Sequence, residues 1–122
     1  MENPYKLEDF YSEGVLKKAM KKARRVVEMG GAYMDGRAPD WLDIVDLDRL
    51  DLSRSYSCVF GQVFGPEEFY RLPRERGWAY AYKHGFAHEF GETGSWELLT
   101  QAWKEYIFQR RADARDLHGA ED

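Results

Sequence analysis

The chain contains a single cysteine, Cys58, in 122 residues, so no internal disulfide can staple it. That usage fits a reducing cytoplasm and excludes the disulfide-rich secreted scaffolds. No apolar run approaches the ~20 residues that span a bilayer, and the opening Met1–Lys6 lacks the apolar segment of a signal peptide. A cytoplasmic protein with no membrane partner is the expectation. Internal repeats, low-complexity stretches and a phosphate-loop ending of Gly-Lys-Ser/Thr are also missing.

What is present describes a folded body. Hydrophobic residues make up 43% and aromatic residues 16% of the chain, which argues against intrinsic disorder outside the ends. The length suits one domain spanning 1–122, with 1–11 as a lead-in and 111–122 as a charged tail. Net charge is −4 but unevenly placed. Lys17, Lys18, Lys21, Lys22, Arg24 and Arg25 lie in one acid-free run, leaving 12 basic residues against 22 acidic ones elsewhere. Such a basic face can meet nucleic acid or an acidic partner, whereas the negative total argues against broad coating of DNA.

Periodicity points to helices. After Ser12 as a cap, Leu16, Ala19, Met20, Ala23, Val26 and Val27 recur at three- and four-residue steps, an amphipathic stripe that Tyr33 and Met34 continue. Gly30-Gly31 either ends that helix or lets it pack closely on a neighbour. Between Asp40 and Asp51, aspartates alternate with Trp41, Ile44, Val45, Leu47 and Leu50, a pattern of short helical turns joined by Asx turns. Ser57 is expected to open a short buried helix over 58–64, with a strand over 56–64 as the competing reading. Pro66 followed by Glu67 and Glu68 reads as a helix start; Pro73 restarts the chain, and Gly85 closes the segment from Glu75 to His84. A last helix capped by Ser95 would bury Trp96, Leu99, Ala102 or Trp103, Tyr106 and Ile107. The fold class is mainly α: one domain of four to six helices, short helical turns in the middle, and little or no sheet.

Chemistry-bearing residues are sparse. His84 and His88 share an i,i+4 spacing, but Gly85 interrupts them and the His-Glu-x-x-His order is absent. Asp46, Asp48 and Asp51 resemble part of a calcium loop, yet Asp51 and Ser57 stand where that loop needs glycine and glutamate. Cys58 could act as a nucleophile only with a histidine base, and its neighbours Val59 and Phe60 instead mark it as a small buried residue. Trp41, Cys58, Gly61, Gln62 and Gly65 are expected to be architectural: the glycines for close approach or a turn, Gln62 to tie the segment to backbone. No metal and no cofactor is called for.

The order Asp40-Trp41-x-Asp43-x-Val45-Asp46-Leu47-Asp48-x-Leu50-Asp51-Leu52, a serine-rich break, then Cys58-Val59-Phe60-Gly61-Gln62-Val63-Phe64-Gly65 resembles a group of small hypothetical proteins encoded by bacteriophages of actinobacteria, mycobacteriophages among them. Gly31–Asp35, Gly85–Ala87 and Trp96–Lys104 fit the same pattern, so the resemblance spans roughly 31–110. The lysine-rich helix and Pro66–Arg76 are the unusual parts. The resemblance implies a non-virion phage product working in a bacterial cytoplasm, and it brings no catalytic residues. The expected function is binding of a host or phage protein without catalysis, and self-association is plausible. The alternatives are a nucleic-acid regulator acting through 17–25, and a small enzyme with a site near Cys58 and His84.

Overall fold

A computed structural model describes residues 13–88 and 96–121, with side chains described for 14–88 and 96–116. The caps expected at Ser12 and Ser95, and the lead-in 1–11, lie outside the described residues. Six helices follow in chain order: α1 Glu13–Arg37, α2 Trp41–Ile44, α3 Val59–Phe64, α4 Pro66–Arg76, α5 Trp78–Lys83 and α6 Trp96–Glu121. Among the described residues there is no strand, so the mainly helical expectation holds and the strand over 56–64 is replaced by α3.

The stripe of α1 buries Ala19, Ala23, Val27 and Met34, and its principal neighbour is α6. Gly30 and Gly31 do not end the helix; they allow the close approach. A Cβ on Gly30 would stand 2.1 Å from the His84 carbonyl oxygen and 2.7 Å from the Trp103 ring, and one on Gly31 would stand 2.2 Å from the Tyr106 hydroxyl. Each glycine costs about 1 kcal/mol of helix propensity relative to alanine, and the packing of a whole indole against the bare backbone offsets it. Trp103 is fully buried, donates its indole N–H to the Gly85 carbonyl at 2.6 Å, and stacks on Phe86 at 5.9 Å. Trp41, equally buried, meets Trp103 edge-on at 6.0 Å and donates to Asp35 Oδ1 at 2.8 Å.

The central block stands on this frame as short turns. Asp46 Oδ1 accepts from the Asp48 N–H and Asp51 Oδ1 from the Ser53 N–H, both at 3.0 Å, which are the Asx turns that the alternating aspartates announce. Gln62 closes the block. Its Oε1 accepts from the Asp46 N–H at 2.7 Å, and its Nε2 donates to the carbonyls of Asp46 at 3.2 Å and Ser57 at 2.8 Å. On the other side, Thr100 Oγ1 of α6 accepts from the Leu52 N–H at 2.9 Å. Arg111 of the same helix donates to the carbonyls of Leu42 and Val45, covering the open end of α2.

Three boundaries differ from the sequence expectation. The cap of α3 is Cys58, not Ser57: Cys58 has extended backbone, and its sulfur accepts from the Gly61 N–H at 3.2 Å, a role normally given to oxygen. Pro73 does not restart the chain, because α4 runs through it to Arg76, and the break falls at Gly77, whose φ of +90° suits glycine. The segment from 111 is not a separate tail but the continuation of α6 to Glu121, with Arg111 bonded to the central block.

Asp35 receives both Trp41 Nε1 and the Arg110 guanidinium, the latter at 3.1 Å. Burial pushes its carboxyl pKa up, but the hydrogen bonds from Arg110 and Trp41 and the charge of Arg110 outweigh it, and the net shift is downward. A depressed carboxylate pKa stabilises the fold above its unfolded value of about 3.9 and loses that contribution as pH falls through the folded value. Urea midpoints of Asp35→Asn should therefore lie below wild type at pH 7, and the gap should close toward pH 3; a gap independent of pH would discard this assignment.

Glycine substitutions give a second check. A Cβ on Gly61 would stand 1.6 Å from the Ser55 carbonyl oxygen, whereas one on Gly36 meets nothing within 4 Å. Gly61→Ala should cost more than about 3 kcal/mol in denaturant unfolding. Gly36→Ala, in exposed helix, should gain about 0.5 kcal/mol.

Candidate functional site

No hydrogen bond joins Cys58 and His84. The Cys58 side chain is buried beneath α3, its sulfur engaged by the Gly61 N–H and directed at the Ser55 carbonyl at 3.5 Å. Burial pushes its pKa up to about 11, against the smaller opposing pull of the Gly61 and Phe60 backbone N–H groups. At pH 7 only ~10⁻⁴ of such a thiol is thiolate, too little for a resting nucleophile. His84 has its own partner: Nδ1 is 2.8 Å from the Tyr80 carbonyl, and its ring stacks on Tyr80 at 4.1 Å.

The other constellations dissolve similarly. α5 ends at Lys83 with His84 as its C-cap, Gly85 follows with φ of +69°, and His88 instead meets the Trp96 ring edge-on at 5.8 Å. Asp46 and Asp51 are occupied by their own turns, and no group of three metal-binding side chains occurs among the described residues. Gly65 ends α3 with φ of +97°, and Trp41, Gly61 and Gln62 have the architectural places given above.

The basic run of α1 is laid out as two adjacent rows. Lys17, Lys21 and Arg24 form the row that leads to Glu28, and Lys18, Lys22 and Arg25 form the next; all six are exposed. They do not converge on a pocket. Arg24 pairs with Glu105 of α6 at 3.5 Å, beside a groove of about 260 Å³ floored by Val27, Ala102 and Tyr106. That groove also holds Glu28 and Glu105, so its cation is matched.

A second surface was not singled out from sequence. On α4 and α5, Tyr70 and Trp78 are 52% and 47% exposed. Rings run in continuous contact from Tyr70 to Phe69 at 5.3 Å, on to Trp78 at 6.5 Å, and to Tyr82 stacked on Trp78 at 6.1 Å. Phe69 roots the chain of rings in the core, and Arg74 closes the C-terminal turn of α4 by donating to the Tyr70 carbonyl at 3.3 Å. The signal was legible only as aromatic abundance, because exposure depends on Gly77 folding α5 back on α4.

Comparison with known protein families, curated proteins and solved structures finds no match for the chain. Among the described residues, no helix is long and apolar enough to cross a membrane.

Cys58 provides the prediction here. Iodoacetamide at pH 7.5 should leave the native thiol unmodified over hours and react promptly in urea. Cys58→Ser should retain the cap, whereas Cys58→Ala should lose about 1 kcal/mol more in urea unfolding. Rapid alkylation of the folded protein would contradict the buried placement.

Proposed function

We propose that the chain is a phage-encoded accessory protein that works in a bacterial cytoplasm by binding a host protein, with no catalysis of its own. The origin rests on the resemblance over 31–110. The binding role rests on one observation: the exposed rings of Tyr70 and Trp78 on α4 and α5, linked through Phe69 and backed by the half-buried Tyr82. Rigid aromatic side chains with arginine beside them are the composition of interface hot spots, since they bury much area and lose little conformational freedom. The fixed use of Cys58 as a cap supports the non-catalytic part of the reading.

The experiment compares affinity capture from an actinobacterial lysate by wild type and by Tyr70→Ser/Trp78→Ser. The same host protein should be retained by wild type and lost by the variant, while circular dichroism stays unchanged. With the purified partner, affinity should fall at least about 30-fold, the size of one hot-spot truncation. Equal retention by the variant would reject this face. Sedimentation that depends on Trp78 would reassign it to self-association. Turnover of a generic substrate that Cys58→Ala or His84→Ala abolished would reject the non-catalytic reading.

A second reading has its own observation, the two exposed basic rows of α1 without interleaved acid. As a nucleic-acid regulator the chain would bind DNA or RNA with steep salt dependence, removed by replacing Lys17, Lys18, Lys21 and Lys22 with alanine. No binding at about 50 mM salt, or unchanged binding by that variant, would eliminate it.

A further inference from the structure

Most arginines of this protein are already engaged. Arg24, Arg54, Arg71 and Arg110 pair with carboxylates. Arg49, Arg74 and Arg111 donate to backbone carbonyls. Arg37 and Arg76 are held differently, by rings. The Arg37 guanidinium carbon lies 5.6 Å from the Tyr33 ring centre and 5.7 Å from that of Phe64, and its Nη1 donates to the Tyr33 hydroxyl at 3.0 Å. The Arg76 guanidinium carbon lies 5.6 Å from the Tyr80 ring centre. Among the described residues neither forms an ion pair, and Arg76 makes no hydrogen bond.

The two cations come from different helices, the end of α1 and the end of α4, and each lies over its own ring, the two rings being in edge-on contact. Tyr33 meets Tyr80 edge-on at 6.1 Å, and His84 packs on both, at 5.8 Å from Tyr33 and 4.1 Å from Tyr80. All three rings are partly exposed. The electrostatics agree with the placement. Burial pushes the Tyr33 hydroxyl pKa up, Arg37 and Arg76 both pull it back, and no carboxylate contributes. A guanidinium held over a ring rather than by a carboxylate keeps most of its five N–H donors for another partner, and their planar fork suits a tetrahedral oxyanion.

We propose that Arg37 and Arg76, set over the Tyr33–Tyr80 ring pair, form a binding site for a phosphate-type oxyanion. The site takes a free phosphate ion or the phosphate monoester of a larger ligand by the same chemistry. It is independent of the Tyr70–Trp78 face, because different side chains carry it and its probe is not a protein.

The test is titration of the full chain with inorganic phosphate and with phenyl phosphate, followed by calorimetry and ³¹P line width at ionic strength held constant with chloride. Saturable binding of at least one probe is expected, with a Kd below about 1 mM. Arg37→Gln and Arg76→Gln, each checked for native circular dichroism, should weaken it at least about tenfold, while Arg25→Gln on the outer row of α1 should not. Comparable affinity for both probes would identify the ion as ligand, and phenyl phosphate binding at least tenfold tighter would identify a monoester. A non-saturable response matched by chloride, or equal binding by both glutamine variants, would overturn the site. Failure of the wild type to capture any host protein, with phosphate binding intact, would count against the aromatic face alone.

Discussion

The packing of Trp103 against the bare backbone of Gly30 is the contact on which the rest depends. It sets the spacing of α1 and α6 and brings the His84–Gly85 corner within reach, since the same indole donates to the Gly85 carbonyl. Any side chain at position 30 would have to displace a carbonyl oxygen and a ring together, and neither has room to move in a close-packed interior. Trp41, Phe86 and Tyr106 then arrange themselves around Trp103 at centroid distances of 5.9 to 6.1 Å. The core is thus an aromatic cluster whose geometry is directional, and not a droplet of interchangeable aliphatics.

On that cluster the central block is suspended by polar contacts. Residues 45–58 contain little helix of their own, so their backbone groups need partners from outside. Gln62 satisfies three, Thr100 one, and Arg111 the carbonyls at the end of α2. A half-buried side-chain amide that bonds both the N–H and the carbonyl of Asp46 imitates a strand partner without a strand. This is how a stretch rich in aspartate, which neither helix nor sheet favours, holds one conformation.

Much of this was legible because local chemistry decided it. The stripe of α1, the Asx turns at Asp46 and Asp51, the start of α4 at Pro66 and the buried face of α6 follow from periodicity and capping rules that tertiary contacts did not override. The tying role of Gln62 was legible too, as the polar residue in an apolar run. The misses have a common cause. Pro73 reads as a breaker, yet α4 runs through it to Arg76 and the break comes at Gly77, so the packing of Phe69, Leu72 and Pro73 itself into the core outweighs the local penalty. Cys58 reads as a small hydrophobe, and only the fold reveals that its sulfur replaces a serine oxygen at a helix cap. Arg111 reads as part of a charged tail, and only the proximity of α2 gives its donors carbonyls to meet. The exposed rings and the paired arginines were invisible for a related reason, since composition counts aromatic and basic residues without saying which ones share a surface.

The distribution of cations shows where recognition can arise. Exposed ion pairs such as Arg24–Glu105 or Arg71–Glu68 contribute at most about 1 kcal/mol and leave little net field. Arginines bonded to backbone carbonyls serve the fold. A guanidinium held over a ring is different: the ring attracts it without neutralising it, so its charge survives into the surface. Arg37 and Arg76 are held this way over Tyr33 and Tyr80. Binding an anion there would require little further ordering of the side chains, and ordering is a principal cost of association. On the lysine rows of α1 the cations project from a helix face and do not meet around a common floor. Density of charge and readiness to bind are therefore separate properties in this molecule: the first belongs to the lysine rows of α1, the second to arginines at the ends of α1 and α4.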